Sequence, residues 1–146
     1  MQRQRRARPI PKNMIVRAAI LIGVGLLVGA CAKTPPPEAT AVADQFIRAY
    51  FVEDNVAGAA KLANCVARAR LDRRLQQIEA AGVKEPRKDK PRVMTTLVDP
   101  QSVSVDAIGY VYRVDSETPG IAPITATLRL TKDGGAWSVS EFTQTP

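Results

Sequence analysis

Histidine is absent from all 146 residues. Its absence removes Ser-His-Asp and Cys-His catalysis, HExxH zinc chemistry and imidazole general bases together. Cysteine occurs twice, at Cys31 and Cys65. Two are too few for a disulfide-stapled miniprotein, and their spacing matches no metal motif. No glycine-rich phosphate loop, nucleotide motif or internal repeat is present, so neither a cofactor nor a metal is expected. Acidic residues are missing from the first 30 positions, which hold Arg3, Arg5, Arg6, Arg8, Lys12 and Arg17. The other 15 basic groups face all 14 acidic ones, so the net charge of +7 belongs to the leader and the body is close to neutral. A nucleic-acid partner needs a basic surface on the folded part and is not expected.

What is present begins with an uncharged run, Ala18 to Ala32, behind that basic stretch. A basic n-region, an apolar h-region and small residues at the end describe an export signal. As a helix the run spans roughly 22 Å, short of a hydrocarbon core of about 30 Å. Counted from Ile15, with Arg17 snorkelling, it reaches roughly 27 Å, so a single-span anchor stays open beside a cleaved signal. Leu27, Val28, Gly29, Ala30 and Cys31 resemble a bacterial lipobox. That resemblance implies cleavage before Cys31, lipidation of its thiol and, with Ala32 next, sorting to the outer membrane in a two-membrane cell. Two or more acyl chains are what stable anchoring requires. Residues 1–31 are thus read as a signal peptide or membrane anchor helix, and 32–39, with Pro35, Pro36 and Pro37, as an extended spacer.

The body, residues 40–146, opens on a helical pattern. Val42, Ala43, Phe46, Ile47 and Tyr50 make an apolar face, Asp44 and Arg48 an i,i+4 pair, and Thr40 an N-cap. Asp54 or Asn55 caps a second helix over 56–63. A third runs from about Asn64 to Ala81 with Val66, Leu71, Leu75 and Ile78 inward and Gly82 as its terminal glycine. Beyond the charged stretch 84–92 the period becomes two. Strands are expected over 93–98, 103–105, 108–114 and 124–131, with Asp99-Pro100 a turn or bulge. Asp133-Gly134-Gly135 turns a hairpin into a last strand carrying Trp137, Val139 and Phe142. Helices followed by an antiparallel sheet mean α+β, the helices packed on one sheet face.

A leading helix of the form VADQFIRAYFVEDNVAGAAKLA and a closing LRLTKDGGAWSVSEF hairpin resemble the NTF2-like (cystatin-like α+β) superfamily over about residues 40–143. The resemblance implies a curved sheet wrapped on the long helix to form a cone, with Tyr50, Tyr110, Tyr112 and Trp137 as candidate cavity-lining residues. Enzymes of that superfamily line the cone with acids, His and Tyr. Here Glu53, Asp54 and Asp106 are the nearby acids, and an Asp base with a Tyr oxyanion donor suffices for proton transfer. Glu53 and Asp54 read instead as a helix end and cap, Asp106 as a turn residue and the tyrosines as packing, so no catalytic residue is assigned. Cys65 reads as a small buried residue. Arg68, Arg70, Arg73 and Arg74 cluster on the third helix as a solvated face, or toward lipid headgroups or an acidic partner.

Two function classes remain. One is a non-enzymatic envelope lipoprotein, held to the membrane by its N-terminus, whose domain binds another envelope protein. The other is a binder or enzyme for a small apolar molecule in the cone. An open pocket with an inward acid favours the second and a side-chain-filled cavity the first. Both share one orientation, because the positive-inside bias holds the basic end in the cytoplasm. Protease added to spheroplasts is therefore expected to digest the body, and protection there overturns export. Labelled fatty acid is expected to enter the wild type and not Cys31→Ser; an intact Met1 with indifference to that substitution marks the single-span anchor.

Overall fold

Strict alternation makes the sheet. In the segment 124–130 Ala126, Leu128 and Leu130 are fully buried and Ile124 is partly so, while Thr125, Thr127 and Arg129 are exposed. A period of two with β-branched residues on the wet face stabilises a strand buried on one side only. The computed structural model describes residues 34–84, 87 and 90–146. Leu27, Val28, Gly29, Ala30 and Cys31, with the whole signal or anchor segment, lie outside the described residues. No helix among the described residues is long and apolar enough to cross a membrane.

The elements run α1 (Pro37–Ile47), a π-helical turn (Arg48–Val52), α2 (Val56–Lys61), α3 (Cys65–Ala80) and then β1 (Val93–Ser104), β2 (Ala107–Ser116), β3 (Ile124–Asp133) and β4 (Ala136–Thr145). The strands form one antiparallel meander in the order β1-β2-β3-β4. The fold is thus α+β, as the pattern predicts, with the helices on one face of a curved sheet. Gly134 and Gly135 both take positive φ, 55° and 89°, which a two-residue hairpin with primed turn geometry requires.

A bulge decides which side chains of β4 reach the core. Leu130 pairs with Val139 and Arg129 with Glu141, so Ser140 is the extra residue, its hydroxyl donating to the Arg129 carbonyl at 3.1 Å. Trp137 and Val139 face the helices two apart. The bulge then restores Phe142, three further on, to the same face opposite Leu128. The outer edge of β4 is not bare. Leu62–Asn64 lies alongside it: the Asn64 N–H donates to the Val139 carbonyl and the Val139 N–H to the Leu62 carbonyl, both at 2.9 Å. The Arg70 guanidinium donates to the Phe142 carbonyl at 2.9 Å, occupying an acceptor further along that edge.

Several boundaries and faces differ from the sequence reading. Helix α1 starts at Pro37, inside the stretch read as spacer, with Pro36 as N-cap and Pro37 and Glu38 in its first turn. Proline's fixed φ and missing N–H suit a first helical position, so three prolines delay a helix without forbidding it. Thr40 is therefore not the cap; its hydroxyl lies 3.1 Å from that of Tyr110. Arg48 pairs with Glu53 at 2.9 Å and not with Asp44: its N–H still returns to the Asp44 carbonyl, but the π-turn that follows brings Glu53 to its guanidinium, and the Asp44 carboxylate takes the Tyr112 hydroxyl. Strand β1 is continuous across Asp99-Pro100, with bulges at Leu97/Asp99 and Ser102/Ser104, since an edge strand tolerates a proline.

Helix α3 buries Ala67 and Leu71 and leaves Val66 53% exposed, while Leu75 and Ile78 pack partly against the core. Cys65, read as buried, is exposed: it is the first residue of α3, at φ 46°, before the helix turns its face inward. Gly82 ends α3 as expected, at φ 66°, with the Val83 N–H returning to the Ile78 carbonyl and the Gly82 N–H to that of Glu79.

Trp137 is 9% exposed within the core formed by helices and sheet, and its indole N–H has no partner among the described residues. Trp137→Ala is expected to cost about 3 kcal/mol, the lower end for a buried aromatic, because truncation also removes an unpaired donor. Urea unfolding of the full chain measures this; a loss under about 1 kcal/mol would show that Trp137 carries no core packing.

Candidate functional site

The site begins at the π-turn. The Glu53 N–H returns five residues to the Arg48 carbonyl at 2.8 Å, and the Asn55 N–H six residues to that of Ala49, also at 2.8 Å. An α-helix here would bond four residues back, so the inserted residue rotates everything after Arg48. Tyr50 and Phe51, adjacent in sequence, consequently both line one cavity at the C-terminal end of α1. They meet edge to face at 4.9 Å between ring centroids.

That cavity holds about 460 Å³. Its second wall is the C-terminal half of α3, through Arg74, Gln77, Ile78 and Ala81. The third is the end of the sheet where β1 begins, β3 begins and β4 ends, represented by Val93, Ile124 and Gln144. Arg87, Lys90 and Pro91 complete the rim. The floor is apolar, and among the described residues the rim carries three cations and the lining one carboxylate, Asp54.

Asp54 sits between the π-turn and α2 at φ 52°, a left-handed conformation that aspartate tolerates better than most residues. It does not cap α2. Asn55 does, its side-chain oxygen accepting from the Gly58 N–H at 2.7 Å. The Asp54 carboxylate instead takes three bonds from Arg87: from Nε at 2.8 Å, from Nη2 at 3.1 Å and from the backbone N–H at 3.1 Å. Its side chain is 16% exposed against 55% for Arg87, so the acid is the sunken partner. Hydrogen bonding from Arg87 holds its carboxyl below the usual range, against the opposing effect of burial.

Of the four residues read as cavity-lining, Tyr50 alone lines this cavity. Tyr110 and Tyr112 lie on the inner face of β2 but directly beneath α1. The Tyr112 hydroxyl donates to Asp44 at 2.6 Å, and that of Tyr110 meets Thr40. Burial first, and then the Asp44 carboxylate, push the Tyr112 hydroxyl far above the ordinary phenol range; burial raises Tyr110 as well. Trp137 is near the opposite end of the sheet, beside Lys132, whose ammonium lies 5.7 Å from its ring. Helix α1 covers Tyr110 and Tyr112, and Trp137 is buried in the core, as the sequence also allows. Glu53 is exposed and Asp106 occupies the β1–β2 turn, as read. Among the described residues no three of His, Cys, Asp and Glu gather in a group able to hold a metal ion.

The arginines of α3 divide. Arg68 pairs with Asp72 at 3.1 Å and donates to the Ala60 carbonyl, Arg70 closes the β4 edge, and Arg74 reaches the cavity. Phe51, Ile78, Arg74, Arg87, Lys90 and Gln144 belong to the site and were not singled out for it by sequence. The signal for two of them is the proline-punctuated basic stretch 84–92.

The Asp54–Arg87 pair predicts an acid response. A depressed folded-state pKa contributes stability above the ordinary carboxylate range, and that contribution is lost as pH falls through the folded value, below about pH 4. Asp54→Asn is expected to cost about 0.5–1 kcal/mol at neutral pH, since the arginine is largely solvated. It should also flatten the fall in stability between about pH 5 and 2. Urea unfolding across that interval checks both; an unchanged pH slope excludes the pair as its source.

No protein-family model matches this chain, and no curated protein does. Solved structures do. An NTF-2 like protein of unknown function from Shewanella oneidensis MR-1 aligns with a TM-score of 0.54 and 11% identity, over 75% of this chain and 97% of its own. A putative calcium/calmodulin-dependent protein kinase type II association domain from Thiobacillus denitrificans aligns at 0.53 and 15% identity, over 77% of this chain and 98% of its own. A domain of unknown function with a cystatin-like fold from Nostoc punctiforme gives 0.54 and 15%, over 77% and 78%. Identities this low speak for the fold alone, and the fold is NTF2-like: a curved antiparallel sheet closed by N-terminal helices.

Proposed function

We propose that this chain is a membrane-tethered, non-enzymatic protein of a bacterial envelope whose NTF2-like domain holds a small apolar molecule in its cone. The observation that carries this is the open cavity at the C-terminal end of α1, walled by Tyr50, Phe51, Val56, Ile78 and Ile124. Its volume of about 460 Å³ lies in the range of small-molecule sites, which are lined mostly by apolar side chains with a few polar groups. A domain serving only as a docking block has no use for such a void, and filled cores are denser.

Binding without turnover is supported by the state of the polar groups. The acid at the cavity is committed to Arg87 and held ionised, which makes it a weak proton acceptor near neutral pH. The tyrosines that would serve as oxyanion donors point at α1, toward Thr40 and Asp44. Tethering rests on the basic leader, the apolar run and the lipobox-like Leu27–Cys31, with the domain outside the cytoplasm.

A second reading, assembly with another envelope protein, is favoured by β1. This strand is paired on one side with β2, and Met94, Leu97 and Val98 on it are 60%, 37% and 60% exposed. An edge strand of that kind accepts an added strand from a partner. The association-domain name of one similar structure agrees with it.

The two readings separate on one preparation. Full-length protein isolated gently from membranes is expected to carry a small molecule detectable by native mass spectrometry. Gln77→Trp, an exposed position on the cavity wall, should expel it without lowering stability by more than about 1 kcal/mol. A wild type that carries no small molecule, together with a protein partner lost on Leu97→Lys, would replace ligand binding by assembly.

A further inference from the structure

The charged groups of the cavity are mostly of one sign. Among the described residues Arg74, Arg87 and Lys90 line it against Asp54, which takes three bonds from Arg87. The ion pairs among the described residues engage Arg48, Arg68, Arg87, Arg113 and Arg129. Arg74 and Lys90 are not among them. Lys90 donates to the Val52 carbonyl at the end of the π-turn, a neutral acceptor that holds the ammonium in place and leaves two of its three protons to spare. Arg74 projects from α3, one turn before Ile78, with its guanidinium fork uncommitted.

We infer that the ligand is an amphiphilic organic acid: an apolar body against the Tyr50–Phe51–Ile78 floor and one anionic head taken by Arg74 and Lys90. This rests on the pocket reading above and narrows it. The physical reason is the arrangement of charge against surface. Arg74 and Lys90 at the mouth of a cleft with low-dielectric walls focus their field into it, Lys90 in part offset by the Asp54 carboxylate, and an anion there forms charge-assisted bonds that a neutral polar group cannot match. Arginine adds a planar fork suited to a carboxylate or sulfonate. An inorganic anion gains nothing from the aromatic floor, and a neutral hydrocarbon leaves the cations unanswered. The cavity, of about 460 Å³, has room for the body of a fused-ring or short-chain acid.

The test uses the full chain in nanodiscs of zwitterionic phosphatidylcholine, with empty nanodiscs as blank, and a pair of isosteric probes, 2-naphthoate and 2-naphthamide, titrated by calorimetry. Naphthoate is expected to bind at least about tenfold more tightly than naphthamide at low salt, as a hydrogen bond to a charged group implies. The preference should shrink toward unity at high salt, where exposed charges are screened. In Arg74→Gln/Lys90→Gln the preference, read as the ratio of the two affinities measured in that variant, should vanish. Equal affinities in the wild type, or a preference that survives in the double variant, overturn the anionic ligand and leave the pocket reading standing. Binding of neither probe to folded wild-type protein overturns the pocket reading itself.

Discussion

The structure depends on a single aromatic contact set. The chain owns three Phe, and all three, with Tyr50, form one cluster. Phe46 meets Phe142 edge to face at 5.1 Å, and Tyr50 meets Phe142 at 4.8 Å. Such pairs contribute about 0.5–1.5 kcal/mol each beyond the area they bury. Their placement matters more than their sum. Phe46 and Phe142 are buried and belong to the filled core; Tyr50 and Phe51 are half-exposed and line the cavity. One side of the cluster is the end of the hydrophobic core, and the other is the floor of the pocket. Two local irregularities make the cluster: the bulge at Ser140, which brings Phe142 to the inner face, and the π-turn, which brings Phe51 beside Tyr50.

The rest of the cone is closed by small residues. Ala39, Ala43, Ala59, Ala60, Ala63 and Ala67 are buried across α1, α2, α3 and the α2–α3 connection. Alanine brings backbones close at little loss of side-chain entropy, so these helices seal one end of the sheet with few large side chains. The segment Leu62–Asn64 then hydrogen-bonds to β4, tying the helical layer to the sheet by backbone groups. At the other end the chain leaves the helix through the π-turn, α3 runs out at Gly82, and the large side chains among the described residues line the gap without filling it. The void is therefore a consequence of where the helices stop, with cations from α3 and from the stretch after it left at its mouth.

How legible this was in the sequence follows the range of the interactions. Ala126, Leu128 and Leu130 alternate with polar residues, Asp133-Gly134-Gly135 turns, and Gly82 terminates, each by local chemistry that a sequence displays. The inward set of β2 was equally plain. What failed was phase. An apolar face on α1 continues to Tyr50 at a constant period, but the extra residue after Arg48 breaks that period without any glycine or proline to mark it. Phe51 was thus invisible as a partner of Tyr50, and Asp54 was mistaken for a cap one residue early. The tyrosines of β2 were placed on the right face, yet which stretch of that face α1 covers is a tertiary fact. The Asp54–Arg87 pair joins residues 33 apart. Neither position carries a pattern that names the other.

The position of the cavity bears on how a ligand reaches it. Helix α1 starts at Pro37, beside the hairpin tips: Thr40 meets Tyr110, four residues past the β1–β2 turn at Val105-Asp106. It then runs with β2 toward the sheet end where β1 and β3 begin. From Pro37 to Val52 the path is roughly 20 Å at about 1.5 Å per residue, and the cavity opens at its far end. The cavity mouth therefore lies at the opposite end of α1 from Pro37, and an incoming ligand meets the cationic rim before the Tyr50–Phe51 floor. Strand β1, on the lateral edge of the sheet, contributes Val93 at its start to the cavity wall, so a partner strand added further along, beside Leu97 and Val98, would not obstruct the pocket.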